Sequence, residues 1–171
     1  FLEVSRLEQG RIEMKKQNFS ISEVIEKVVR SFKDMTGKKG LALSYVQPAS
    51  PVPSVIADKD KVEQVLINLI GNAFKFTKEG SIMVFATTTD GFVAVRVVDT
   101  GSGISEHNQA LLFRKFQPAG EQTLARDVTK STGLGLYISR LILSGMGGTI
   151  ELEKSEVDKG STFVFTLPVS K

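Results

Sequence analysis

The stretch NLIGNAFKFT, residues 68–77, places two asparagines and a lysine at positions i, i+4 and i+7 of a predicted helix. Helical residues advance about 100° each, so Asn68, Asn72 and Lys75 share one face, beside the apolar stripe that the helix buries. An amide oxygen is a neutral ligand for Mg²⁺, which takes its other oxygens from water and phosphates. A lysine one turn further on could contact those phosphates as a point charge. A solvated helix flank would have the same composition, so this segment alone does not distinguish a ligand site from a solvated surface.

A second candidate element is DTGSGI, residues 99–104, where Asp99 ends a predicted strand. A carboxylate at a strand end can accept a hydrogen bond from an exocyclic amine such as that of adenine. Gly101 and Gly103 permit unusual dihedral angles and close approach of the backbone to a ligand. The dinucleotide fingerprint G-x-G-x-x-G is excluded, because Glu106 occupies the place of the third glycine. A tight turn explains the stretch equally well.

A third element is STGLGLYI, residues 131–138, in which Gly133 and Gly135 open an apolar helix. The unpaired amides of a first helical turn can face an anion, although glycine caps alone would give the same pattern. Three such signals along one domain are much less expected by chance than any one of them.

Composition narrows the class of protein. The 171 residues suffice for one domain, the net charge of +3 is too small to indicate a nucleic-acid binder, and cysteine is absent. No apolar run approaches the roughly 20 residues of a membrane helix. The chain opens in mid-pattern with FLEVSRLEQG, which indicates a fragment of a longer protein, and a cytoplasmic location is compatible with the lack of cysteine.

The order of the predicted elements indicates an α+β fold. We expect a two-layer sandwich, in which a mixed, mostly antiparallel sheet is covered on one face by about three helices. A capping box at Ser20–Glu23 and a hairpin signal at Asp90-Gly91 support this assignment. Gly145, inside the last helix, has no explanation in the sequence. One predicted helix begins after Ser20, and the others cover about 60–76, 106–116 and 134–143. The predicted strands are LALSYV, SIMVFATTT, FVAVRVVD, TIELEKS and STFVFTLPV.

Together these motifs resemble the catalytic, ATP-binding domain of the sensor histidine kinases, in the GHKL superfamily with the gyrase-type ATPases. NLIGNAFKFT is similar to the N box of that family, DTGSGI to the first glycine box, LLFRKFQ to the F box, GLGL to the second glycine box and KGST to the last glycine turn. The stretch LEVSRLEQGRIEMKKQNFSISEVI resembles the end of a dimerization helix. The resemblance implies that residues 1–17 are the end of that helix and a linker, and that residues 18–171 are the catalytic domain.

The resemblance also implies a role for each matching position around ATP and Mg²⁺. Asn72 would ligate Mg²⁺, Asn68 would support the phosphate end, and Lys75 would touch the phosphates. Residues 117–132 would form the ATP lid, from which the Arg126 cation would reach the γ-phosphate. Phe76 would pack on the adenine and Asp99 would accept from its amino group. The rest of the implied binding set is Gly101, Gly103, Ile104, Phe116, Thr132, Gly133, Leu134, Gly135 and Leu136, with Ser161 or Thr162 in the base pocket.

The implied reaction is phosphoryl transfer. Relatives that hydrolyse ATP carry a glutamate where this chain has Asn68, and a neutral amide cannot act as a general base. Bound ATP would therefore donate its γ-phosphoryl to a histidine of the dimerization domain, which would phosphorylate a response regulator. The one histidine, His107, has no acceptor motif around it. We expect the fragment to bind ATP without phosphorylating itself.

Partners and alternatives follow from the same resemblance. The expected partners are the dimerization domain of the same protein and the receiver domain of a response regulator, with no nucleic acid. The full-length protein would be a homodimer that a membrane segment can anchor, and the fragment is compatible with a monomer. A serine kinase of the same superfamily and a regulatory module that binds nucleotide without catalysis remain open.

Overall fold

The computed structural model describes residues 2–115 and 134–171. A five-stranded sheet, a two-stranded sheet and five helices make up this part of the chain. The helices are α1 (Leu2–Glu8), α2 (Ile21–Lys39), α3 (Lys59–Phe76), α4 (Glu106–Gln109) and α5 (Gly135–Gly145). The strands are β1 (Gln17–Phe19), β2 (Ala42–Tyr45), β3 (Val55–Ala57), β4 (Ser81–Thr89), β5 (Phe92–Asp99), β6 (Thr149–Glu156) and β7 (Gly160–Pro168).

The large sheet has the strand order β2-β4-β5-β7-β6, with β2 and β4 parallel and every other pair antiparallel. Helices α2, α3 and α5 pack on one face, because alternate residues of each strand are apolar. In β4, for example, Ile82, Val84 and Ala86 are buried, whereas Met83 is exposed on the opposite face. The predicted α+β fold with a mostly antiparallel sheet is confirmed.

The turn between β4 and β5 is the predicted two-residue hairpin. Asp90 and Gly91 both have positive φ angles, 43° and 83°, and Thr89 pairs with Phe92. Two left-handed residues match the twist of the flanking strands, and aspartate followed by glycine adopts that conformation readily. Asp99 is the last residue of β5, the second strand of this hairpin.

Two local predictions differ from the structure. Helix α2 begins after Ser20 as expected, but the Ser20 side chain makes no capping hydrogen bond. The helix predicted over 106–116 is wrong in extent, since α4 ends at Gln109 and turns follow to Lys115. The ring of Phe113 packs edge-on against that of Phe163, 6.5 Å away between centroids. In the turns after α4, this contact packs Phe113 against the hydrophobic core.

Helix α1 is joined to the body of the domain by both packing and charge. Val4 and Leu7 are buried, and α1 packs on α5. At the end of α1, Glu8 accepts hydrogen bonds from the hydroxyl of Tyr137 and from Lys115 Nζ, the latter at 2.9 Å. These two donors lower the pKa of the Glu8 carboxyl. Among the described residues, no helix is both long and apolar enough to cross a bilayer.

The linker after α1 is held at the start of α3. Oδ1 of Asp58 accepts from the backbone N–H of Lys61 at 3.3 Å and caps α3, and Oδ2 accepts from that of Lys15 at 3.0 Å. One residue earlier, the Met14 side chain lies over Gly145, where an added Cβ would come 3.0 Å from Met14 Cε. A Cβ at this position would require the end of the Met14 side chain to shift by a few tenths of an ångström.

We expect Asp58→Ala to lower the free energy of unfolding by about 1–2 kcal/mol, because it removes the cap of α3 and the anchor of the linker. Asp60→Ala is the matched control, since this exposed first-turn acid contributes only about 0.3–1 kcal/mol through the helix dipole. Urea unfolding of both variants measures the difference. Equal losses would contradict a specific role for Asp58.

Candidate functional site

A cavity of about 330 Å³ lies between the last turns of α3, the loop after β5, the first turn of α5 and the turn between β6 and β7. Its floor is apolar, and its polar groups are carboxylates, hydroxyls and side-chain amides. This mixture, an apolar recess with a few placed polar atoms, is typical of a small-molecule site. The lining residues are Asn72, Ala73, Phe76, Asp99, Ser102, Gly103, Ile104, Ser105, Asn108, Leu112, Leu136, Val157, Asp158, Ser161 and Phe163.

Asp99 is the most buried charged group of this cavity, at 8% exposed. Burial raises the pKa of its carboxyl above the ordinary value, and backbone N–H groups of Gly101 and Ser161 oppose that shift by hydrogen bonding to the carboxylate. The bond from Gly101 measures 2.9 Å to Oδ1. Two N–H donors leave the carboxylate with further acceptor sites, so it can receive a donor from a ligand.

The loop after β5 is held against the turn that joins β6 and β7. Gly103 has a φ of +68°, and a Cβ there would lie 2.0 Å from the carbonyl oxygen of Glu156. The next residue, Ile104, donates its N–H to Ser155 Oγ at 2.8 Å, and the hydroxyls of Ser155 and Ser161 share a hydrogen bond of 2.8 Å. Only a residue without a side chain permits this crossing, which gives one wall of the cavity its position.

The polar row on α3 divides between two surroundings. Asn72 and Phe76 line the cavity, whereas Asn68, one turn earlier, donates from Nδ2 to Ser139 Oγ at 3.2 Å. Lys75 is half-buried, with Nζ 5.3 Å from the centroid of the Phe76 ring. The predicted row is therefore present, but its first member contacts α5 and lies outside the cavity wall.

The glycine positions also differ in what they do. Gly101 does not line the cavity, and a Cβ there would lie 2.4 Å from the carbonyl oxygen of Phe76. At the start of α5, Leu136 lines the cavity, Leu134 is buried, and Gly135 lies against the side chain of Asn68. The backbone of this first turn adjoins the cavity through Leu136.

Ser161 and Thr162 were alternatives for the same pocket, and the strand geometry separates them. Successive residues of a strand point to opposite faces. Ser161 is buried and lines the cavity, whereas Thr162 is on the face of β7 away from it and does not line it. The predictions for Phe116, Arg126, Thr132 and Gly133 lie outside the described residues.

Several lining residues were not singled out in the sequence. Ser102 lies within the DTGSGI stretch, Phe163 lies in β7, and the others lie in or near α4 or in the turn between β6 and β7. Their position depends on contacts between distant segments, such as the 2.7 Å hydrogen bond from the Asp158 N–H to the Ser102 carbonyl. The residues concerned are Ser102, Ser105, Asn108, Leu112, Val157, Asp158 and Phe163.

The donor set of the site restricts how a metal ion could be held. Within residues 2–115 and 134–171, no three His, Asp or Glu side chains are grouped to bind a metal ion. The amide of Asn72 supplies one neutral oxygen ligand, which fits a hard ion such as Mg²⁺ only when a bound ligand contributes further oxygens.

Residues 57–171 match the family described as histidine kinase-, DNA gyrase B-, and HSP90-like ATPases. This match covers more than half of the chain, which belongs to that family. The chain is homologous to sensor histidine kinases: it is 34% identical to the autoinducer 2 sensor kinase/phosphatase LuxQ of Vibrio cholerae, over 98% of this chain and 20% of LuxQ. It spans a fifth or less of the length of these curated relatives.

Solved structures agree with the family assignment. Full-length ShkA in complex with AMPPNP superposes with a TM-score of 0.86 at 29% identity, over 99% of this chain and 34% of ShkA. The nucleotide-free catalytic domain of the histidine kinase ThkA gives a TM-score of 0.78 at 30% identity, over 92% of this chain and 100% of that domain. The resemblance drawn from the sequence motifs is confirmed.

We expect Gly103→Ala to destabilise the domain by about 1–3 kcal/mol more than Gly91→Ala, as measured by urea unfolding. Both glycines have positive φ angles, so both variants suffer the strain of a left-handed alanine. Gly91 faces open space, whereas the Gly103 Cβ would strike the Glu156 carbonyl. The same loss in both variants would show that the crossing of the two turns contributes nothing.

Proposed function

We propose that this chain is the ATP-binding catalytic domain of a sensor histidine kinase, and that the cavity takes the adenine of Mg-ATP. The observation that carries the proposal is the Asp99 carboxylate, which is buried in an apolar recess and still has acceptor sites open. Adenine offers a flat apolar ring with an exocyclic amine donor, which matches both properties. The family match and the AMPPNP complex of ShkA support a nucleotide as the ligand.

The phosphates belong at the end of the cavity where α3 and α5 meet. Asn72 lines that end and would supply its amide oxygen to Mg²⁺, while the remaining ligands come from phosphates and water. Lys75 is close by on the same helix and would contribute a positive charge. The free N–H groups at the start of α5 would face the phosphate oxygens.

The reaction we propose is transfer of the γ-phosphoryl to a histidine on a dimerization domain, followed by transfer to a response regulator. Asn68 carries no basic group, so we expect hydrolysis of the bound ATP to be slow. In this proposal residues 1–17 are the end of the dimerization helix and the linker, and residues 18–171 are the catalytic domain. His107 is exposed on α4 and is not the acceptor. Such a domain would work in the cytoplasm, where its ATP is.

Calorimetric titration of this chain with ATP, with and without Mg²⁺, tests the proposal. We expect saturable binding that Mg²⁺ strengthens. Asp99→Asn should weaken ATP binding at least about tenfold, because it replaces a charged acceptor by a neutral amide. Asn72→Ala should remove most of the strengthening by Mg²⁺, and incubation of the parent chain with labelled ATP should give no phosphohistidine.

Asp90→Asn is the matched control, since Asp90 is exposed at the far end of the same hairpin, in a left-handed conformation that asparagine tolerates. It should bind ATP as the parent does. A parent chain that fails to bind ATP, or an Asp99→Asn variant that binds it unchanged, would refute the assignment of the cavity.

We also expect the advantage of the parent over Asp99→Asn to disappear in acid. The ionised carboxylate is a stronger acceptor for the amine than the protonated carboxyl group, and burial raises the pKa of Asp99 above the ordinary value. The ratio is the dissociation constant of ATP from Asp99→Asn divided by that from the parent. It should be constant above the raised pKa and should fall by up to about tenfold per pH unit below it. The ratio cancels the titration of ATP itself. A ratio that stays constant down to pH 4 would contradict the raised pKa.

A further inference from the structure

We infer that Ser139 is a positioning residue, whose hydroxyl holds the Asn68 amide and thereby places the first turn of α5 relative to Asn72 on α3. The inference rests on the proposed function, because it assigns the purpose of this contact to the phosphate end of the nucleotide. In this inference Asn68 has a second role: besides lying in the polar row of α3, it holds α5 in position.

The contact between Ser139 and Asn68 joins the two helices that border the site. Ser139 is 2% exposed, and its hydroxyl receives a 3.2 Å hydrogen bond from Asn68 Nδ2. Ser139 is followed along α5 by the buried residues Ile142 and Leu143, so a polar group here requires a partner. Asn68 is that partner.

Gly135 makes the second half of the contact. A Cβ on Gly135 would lie 2.2 Å from Oδ1 of Asn68 and 3.0 Å from its Cγ, so the amide lies against bare backbone. Gly135 and Ser139 are four residues apart and therefore share one face of α5. The Asn68 side chain spans two consecutive turns, with Nδ2 toward Ser139 and Oδ1 toward Gly135.

The contact would set the distance between Asn72 and the first turn of α5, both of which a bound polyphosphate must contact. Asn72 follows Asn68 by one turn of α3, and Leu136 follows Gly135 in α5, so both cavity-lining residues are tied to the same contact. The adenine end depends on Asp99 and on the wall made by β7 and the loop after β5, which do not involve this contact. Loss of the Ser139 hydroxyl should thus weaken the binding of phosphates and spare the binding of the nucleoside.

The experiment compares Ser139→Ala, Asn68→Ala and the double variant with the parent chain. Ser144→Ala is the control, since Ser144 is exposed on the same helix. The affinity for Mg-ATP is measured by calorimetry and that for adenosine by NMR chemical-shift titration. Urea unfolding without ligand reports the coupling between the two side chains independently of any nucleotide.

We expect Ser139→Ala to weaken Mg-ATP binding about fivefold, the size of one neutral hydrogen bond, and to leave adenosine affinity within about twofold. Asn68→Ala, which truncates a half-exposed side chain, should likewise weaken Mg-ATP binding more than adenosine binding. The double variant should lose less than the product of the two single effects, both in Mg-ATP affinity and in the unfolding constant. Ser144→Ala should leave all of these unchanged.

Two results would overturn the inference while leaving the proposed function intact. One is an equal loss of adenosine and Mg-ATP affinity in Ser139→Ala, which would indicate a general structural role. The other is multiplicative effects in the double variant, which would show that the two side chains act separately. A parent chain that binds neither ligand would instead refute the proposed function, and the phosphate role of Ser139 with it.

Discussion

The cavity depends on a close crossing of two backbone segments. A Cβ on Gly103 would lie 2.0 Å from the Glu156 carbonyl, and one on Gly160 would lie 2.0 Å from the carbonyl of Asp99. Because neither glycine has a side chain, the loop after β5 and the turn before β7 approach until Ser161 can donate its N–H to the Asp99 carboxylate. Burial of a carboxylate is costly without such donors. The crossing thus makes a buried acceptor possible at a strand end.

Helix α3 serves two structural purposes with one polar flank. Its apolar stripe packs in the core, and the flank beside that stripe presents Asn72 to the cavity and Asn68 to α5. The two asparagines are one turn apart on the same face of α3, and α5 contacts Asn68 through Ser139. Asn68 belongs to the same sequence motif as Asn72, but its direct contact is a side chain of the neighbouring helix.

The segment before β1 is part of the same packed structure. Asp58 caps α3 with one carboxylate oxygen and holds the linker with the other, and Met14 covers Gly145. Glu8 connects the end of α1 to Tyr137, two residues after Gly135 in α5. The position of α1 is in this way connected to the helix that borders the candidate phosphate site.

Much of the fold follows from local pattern. Alternating apolar residues determined the five strands of the large sheet, helical spacing determined α2 and α3, and Asp90-Gly91 determined a hairpin, because each depends only on neighbours in the chain. The short strands β1 and β3 were not predicted. The glycine-rich motifs likewise indicated Asp99 and the loop behind it. Tertiary packing decided that Ser161 and not Thr162 faces the cavity, that α4 ends at Gln109, and that Asn68 meets Ser139, 71 positions away. Those outcomes depend on strand register and helix crossing, in which residues far apart in sequence compete for the same space, and no local pattern carries that information.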